Sequence, residues 1–220
     1  RSSAMYSPAG DTYSPVSGIW QPVWLETVPS RHITALKIFA DMQKLNINVI
    51  TSVPDAGPVV VNVTMNGQVV AKGVGVANMP FSVTIPEPRL WSPEDPFLYN
   101  MTVTYGDDIV ESYFGMREVS LCKDPQGVRR PCINSKYRFL LGVLDQSYWP
   151  DGQYTAPGDD ALFSDLQALR SFGLNFIRLH QKVNPERWYY AADKLGIVIA
   201  QDVVQHYGDG TQGAGKAYES

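Results

Sequence analysis

Histidine and cysteine are scarce in this 220-residue sequence, with three and two respectively. His32, His180 and His206 lie far apart with no ligand spacing, so a zinc site is not expected. Basic residues are also thin: 18 Lys and Arg against 22 Asp and Glu give a net charge of −4. Their one tight cluster is Arg129-Arg130, so no nucleic-acid or acidic-membrane footprint is expected. No apolar run approaches the length of a transmembrane helix. Residues 1–11 are polar and lack the apolar core of a signal peptide, and without an initiator Met the start reads as a cut edge. Phosphate-binding glycine loops are absent too; the Gly-rich stretch 208–215 reads as a flexible end. Nothing here calls for a cofactor.

What the chain does have is apolar material, 44% of residues against 18% charged, enough for true cores in one large or two modest domains. Most of the 12 Tyr and 5 Trp read as core, while a few in loops suit the apolar face of a pyranose. Cys122 and Cys132 flank the turn-like segment 124–131. If that segment is a hairpin loop, a disulfide there contributes about 2–3 kcal/mol by loop closure; two buried thiols are the alternative. Asn62-Val-Thr64 and Asn100-Met-Thr102 match the N-glycosylation pattern, which with the cysteines leans towards a secreted protein.

Pattern divides the chain into residues 1–28, 29–121 and 122–220. In the first, Trp20, Val23 and Leu25 suggest a strand that needs partners from elsewhere. The second is strand after strand. Leu36 and Ile38, then Leu45, Ile47 and Val49, alternate with polar residues, and Asn66-Gly67 joins residues 59–65 to 69–76 as a tight hairpin. Segments 81–85, 98–105 and 109–114 follow. About seven short strands predict an immunoglobulin-like β-sandwich.

The third region alternates strand and helix. Strands at 139–144, 175–179 and 197–201 run out into Asp145, His180 and Asp202. A helix over 159–172 carries Leu162, Leu166, Leu169 and Phe172 inward and stops at Gly173. A second starts with Asn184 as N-cap and Pro185 in its first turn, carries Trp188, Ala192 and Leu195 inward, and ends at Gly196. Such units give parallel strands with right-handed crossovers, here the first part of a (β/α)8 barrel. The carboxyl ends of barrel strands are where chemistry is built.

Five motifs carry a resemblance. Ser17-Gly-Ile-Trp-Gln-Pro-Val-Trp-Leu-Glu26 resembles the end of the sugar-binding jelly roll of glycoside hydrolase family 2. Leu90-Trp-Ser-Pro-Glu-Asp-Pro-Phe-Leu-Tyr99 and Tyr113-Phe-Gly-Met-Arg-Glu118 are similar to the last part of its immunoglobulin-like domain. Val143-Leu-Asp-Gln-Ser-Tyr-Trp-Pro-Asp-Gly152 and Asn175-Phe-Ile-Arg-Leu-His180 resemble the opening of its catalytic barrel. The resemblance implies part of a retaining exo-glycosidase (β-galactosidase, β-glucuronidase or β-mannosidase) acting on a terminal β-linked sugar with two carboxyl groups. The family's acid/base Glu follows an Asn at the end of strand 4, and its nucleophile ends strand 7. This sequence has no Asn-Glu dipeptide, so no catalytic carboxylate is expected in it, and the remainder of the same enzyme is its expected partner. The family's His three residues after the strand-2 Arg is replaced by Gln181, with His180 one position early.

Asp145, Trp149, Arg178, His180 and Asp202 are the candidate substrate-binding residues. Arg178 reads as an inward group orienting carboxylates or as a structural ion pair. His180 reads as a sugar-hydroxyl partner or a satisfied structural histidine. Asp145 and Asp202 suit sugar hydroxyls or loop caps, and Tyr148 and Trp149 suit sugar stacking or loop packing. A second reading of the whole chain is a non-catalytic carbohydrate-binding or adhesion module built on the sandwich.

Overall fold

The computed structural model describes residues 16–203. The chain divides into two compact units. One is Trp24–Phe139, and the other joins 16–23 to 140–203.

Alternation builds the first unit. β1 (Ile33–Ala40), β2 (Lys44–Thr51) and β5 (Phe81–Thr84) form one antiparallel sheet in the order β1-β2-β5. β3 (Pro58–Met65), β4 (Gln68–Val76), β6 (Tyr99–Tyr105) and β7 (Asp108–Phe114) form the other, in the order β4-β3-β6-β7. The seven expected strands are all present. Asn66 and Gly67 both take positive φ (51° and 80°), so the tight turn holds β4 beside β3.

Every second residue of the central strands points inward. Leu45, Ile47 and Val49 meet Val59, Val61, Val63, Met101, Val103 and Tyr105, each at most 2% exposed. Gly73 and Gly75 leave room for β5, because a Cβ on either would collide with Val83 or Phe81. This is an immunoglobulin-like sandwich.

The unit continues past residue 121. β8 (Val119–Lys123), β9 (Arg129–Ile133) and β10 (Lys136–Tyr137) form a small antiparallel sheet in the order β10-β9-β8. Asn134 accepts from Glu118 N at 3.0 Å and donates to the Trp91 carbonyl at 3.0 Å, and Arg138 pairs with Glu94 at 2.9 Å. These bonds fasten the small sheet to the sandwich unit. Cys122 and Cys132 form a disulfide across β8 and β9, with Cα atoms 5.8 Å apart.

The second unit holds three parallel strands in the order β11-β12-β13: β11 (Gly142–Asp145), β12 (Phe176–Leu179) and β13 (Val198–Gln201). Helices α1 (Asp159–Ser171) and α2 (Glu186–Leu195) lie in the two crossovers. Leu162, Leu166, Ile177, Leu179, Trp188, Ala192 and Ile197 form the core, all within 5% exposure. α2 ends where expected, at Gly196 with φ +72°, and α1 closes just short of Gly173, whose φ is +81°.

Four expectations are corrected. Trp20, Val23 and Leu25 form no strand: the segment finds no ladder partner, and Leu25 is fully exposed. Phe172 leaves the inner stripe, 77% exposed, because the helix closes one residue earlier. Asn184 does not cap α2. Pro185 occupies the N-cap position, and the Asn184 amide donates instead to Ser147 Oγ at 3.0 Å. β11 begins at Gly142, three residues later than expected.

Candidate functional site

Register brings the three strand ends together. Asp145, Leu179 and Gln201 are neighbours across the parallel sheet. His180 N donates to the Asp145 carbonyl at 2.8 Å and Asp202 N to the Leu179 carbonyl at 3.1 Å. Within β12, Ile177 and Leu179 face the helices, so pleating puts Arg178 on the opposite face, beside Leu144 and Ala200.

On that open face Arg178 makes a two-pronged pair with Asp202, Nε to Oδ1 and Nη2 to Oδ2, both at 3.0 Å. His180 Nε2 lies 3.9 Å from the second Asp202 oxygen. The Arg178 hydrogen bonds hold the Asp202 carboxyl below the usual carboxylate range, and Arg178 is raised in return. A fixed carboxylate, a guanidinium and an imidazole at the end of parallel strands can donate to and accept from hydroxyl groups.

Asp145 is committed differently. Its two oxygens accept from Ser147 N at 2.5 Å and Ser147 Oγ at 2.8 Å, capping its own loop. Trp149 also stands in that loop, closed by reciprocal backbone bonds with Gln153 at 2.7 and 2.9 Å. Of the five predicted residues, the structure thus gathers Arg178, His180 and Asp202, and leaves Asp145 and Trp149 in the adjoining loop.

Sequence reasoning missed Lys182, which is 3% exposed. Its ammonium donates to the carbonyls of Ser147 at 2.6 Å and Tyr154 at 2.9 Å, and lies 4.4 Å from the centre of the Tyr154 ring. Burial lowers its pKa to about 8, against the opposing charge of Asp145. Gln201 Nε2 donates to the Lys182 carbonyl at 2.8 Å, and Tyr189 donates to Gln201 Oε1 at 2.5 Å. The one available signal is a Lys in the loop after a strand. Ser147, Gln153 and Gln181 take positive φ (48°, 52° and 52°) without being glycine, so their turns are invisible in sequence.

The two sequons lie side by side in the sandwich. Asn62 stands opposite Thr102, and Asn100 opposite Thr64, on β3 and β6. Asn100 is exposed and Asn62 half-buried. Among the described residues no group of His, Cys, Asp and Glu could hold a metal ion, and no helix is long and apolar enough to cross a membrane.

Residues 28–117, which span the sandwich, match the model of glycosyl hydrolases family 2. The chain belongs to that family. A putative beta-glucuronidase of Formosa agariphila is 30% identical over 200 residues, covering 83% of this family 2 chain and 24% of the relative. A beta-galactosidase of Halalkalibacterium halodurans is 22% identical over 214 residues, covering 85% of the chain and 20% of the relative. The chain therefore spans about a quarter or less of these relatives' length. A beta-glucuronidase structure from Ruminococcus gnavus superposes with TM-score 0.68 at 19% identity, over 80% of the chain and 31% of that structure. That likeness is one of fold.

Proposed function

We propose that this family 2 chain is the sandwich and the opening barrel segment of a retaining glycosidase that removes terminal β-linked sugars. On this reading residues 1–28 end a sugar-binding jelly roll, the sandwich unit with its disulfide-bonded hairpin runs on to 139, and the barrel opens from 140. The observation that carries it is the Arg178–Asp202 pair with His180 beside it, on the open face at the carboxyl ends of three parallel strands. β11 and β13 each have one paired side, which suits a sheet continued by further strands.

The substrate class follows the relatives, which bear the names of glycosidases. Within the chain no Glu follows an Asn, so the acid/base and nucleophile carboxylates are assigned to other parts of the enzyme. Arg178, His180 and Asp202 then hold sugar hydroxyls and orient neighbouring carboxylates, while Asp145 stiffens the loop. The Cys122–Cys132 disulfide suits an oxidising, extracellular compartment.

Two assays test the reading together, each on 4-nitrophenyl β-galactoside, β-glucuronide and β-mannoside. The purified 220-residue chain should turn over none of them. The product of the full reading frame that encodes it should hydrolyse one, and Arg178→Ala should cut that rate at least tenfold. Turnover by the isolated chain, or none by the full product, would sink the proposal.

A further inference from the structure

Beside the strand ends, and sharing no residue with Arg178, His180 and Asp202, the second unit holds a cavity of about 230 Å³. It opens at the N-terminal ends of α1 and α2, between the loops that follow β11 and β12, with Trp20 and Gln21 along one side. That segment is pinned there. Thr155 Oγ1 donates to the Trp20 carbonyl at 2.9 Å, and Gln21 Nε2 donates to the Val183 carbonyl at 3.1 Å. Trp20, Trp149 and Tyr154 supply aromatic wall, with the Trp20 and Tyr154 rings edge to face at 4.6 Å.

Two residues of this lining each carry a buried polar atom without a partner. Asn184, 2% exposed, lines the cavity with its Oδ1 unbonded, while its Nδ2 is held by Ser147. Trp149 Nε1 likewise donates to nothing. Leaving a buried donor and a buried acceptor unmade costs about 1–3 kcal/mol each, so both favour an occupant that completes them.

The unmade bonds in the wall decide what kind of occupant. Arg187 is paired with Asp159 at 2.9 Å, and Lys182 gives two of its three N–H donors to carbonyls. Among the buried side-chain atoms of the lining residues, the unmet demand is one acceptor and one donor. A hydroxyl pair supplies both; a carboxylate or phosphate supplies acceptors alone. Aromatic walls add the flat apolar surface that one face of a pyranose fits.

We propose that this cavity is a carbohydrate subsite for one neutral sugar ring, flanking the strand-end wall. The ring lies against Trp20 and Tyr154, and its hydroxyls meet Asn184 Oδ1 and Trp149 Nε1 after a small side-chain rotation. The ligand class rests on the glycosidase reading, but the two sets of residues are separate, so each can fail alone.

The chain's five tryptophans give five indole N–H resonances in a ¹H–¹⁵N spectrum, assigned by single Trp→Phe variants. Methyl β-galactoside and methyl β-glucoside, titrated at millimolar concentrations into the full chain, should move the Trp149 and Trp20 signals and leave Trp91, in the sandwich, still. Trp149→Phe, which keeps an aromatic ring and removes the donor, should weaken binding about tenfold, equivalent to about 1.4 kcal/mol. The buried Trp188 signal reports whether that variant is folded. If it is not, Trp20→Ala, whose side chain lies outside the strand–helix core, carries the same comparison.

Asp202→Asn should leave the Trp149 shifts intact. The subsite is overturned if neutral glycosides move neither Trp149 nor Trp20, or if glucuronate moves them and neutral glycosides do not. It is also overturned if Asp202→Asn abolishes the shifts, an outcome that places the sugar on the strand ends and leaves the proposed function standing.

Discussion

The two units bury their sheets in opposite ways. In the sandwich, each sheet is the other's cover, and the central positions of β2, β3 and β6 reach zero to 2% exposure. The strand–helix unit covers its parallel sheet on one face. Ile177 and Leu179 are sealed under α1 and α2, whereas Leu144 remains 49% exposed beside Arg178. Parallel sheets are stable when both faces are covered. A sandwich domain can therefore be stable in itself, while this sheet offers its open face and its edges to further structure. Arg178 and its partner Asp202 lie on that open side.

The sharpest way to break the contrast is to empty each core in turn. Trp188→Ala should cost about 3–5 kcal/mol and collapse hydrogen-exchange protection in β12 and α2. Ile47→Ala should cost about 2–4 kcal/mol, read at the amides of β2 and β3. If Ile47→Ala strips protection from β12 as deeply as Trp188→Ala does, the units are one cooperative body and the contrast fails.

Next in size is the disulfide. Cys122→Ser paired with Cys132→Ser should lower the stability of the sandwich unit by about 2–3 kcal/mol, measured by urea denaturation under oxidising conditions. Protection in β12 should stay unchanged, because the hairpin is fastened to the sandwich through Asn134 and Arg138.

How far the sequence disclosed each unit follows the same line. Alternation exposes half-buried strands, so Leu45, Ile47, Val49 and the Asn66-Gly67 turn revealed the sandwich directly. The strand–helix order was equally legible from Gly173, Gly196 and the apolar spacing of Leu162, Leu166 and Leu169. Loops were not. Lys182 and Ser147 are polar residues in polar loops, and the positive φ of Ser147 and Gln181 comes without a glycine to mark the turns. Trp20, Val23 and Leu25 mislead for the converse reason: apolar alternation names a strand only where a ladder partner exists.

Lys182 gives a smaller effect with a distinctive sign. Its pKa is about 8 in the fold and near 10.4 when unfolded, so between those values the unfolded chain binds more protons. Stability of the strand–helix unit should therefore rise as pH goes from about 8 to 10.5, by on the order of 2 kcal/mol. Subtracting the pH profile of Lys182→Met isolates the contribution. A difference profile that is flat, or falls, would show the ammonium to be better solvated than its 3% exposure implies.

The smallest effect belongs to the strand ends, and its sign is opposite. Arg178 lowers the Asp202 pKa, so the unfolded chain takes up the proton first as pH drops. The pair's stabilisation is whole above the ordinary aspartate range near pH 3.9 and fades as pH falls through the lower folded value. Arg178 is 52% exposed, and an ion pair so open to water contributes little. Asp202→Asn should thus barely move the melt at pH 7 and should flatten only the acid limb. A large loss at pH 7 would recast Arg178–Asp202 as a structural clamp. Near-silence in stability, joined to loss of turnover in the full-length product, would mark the pair as kept for the ligand on the open face.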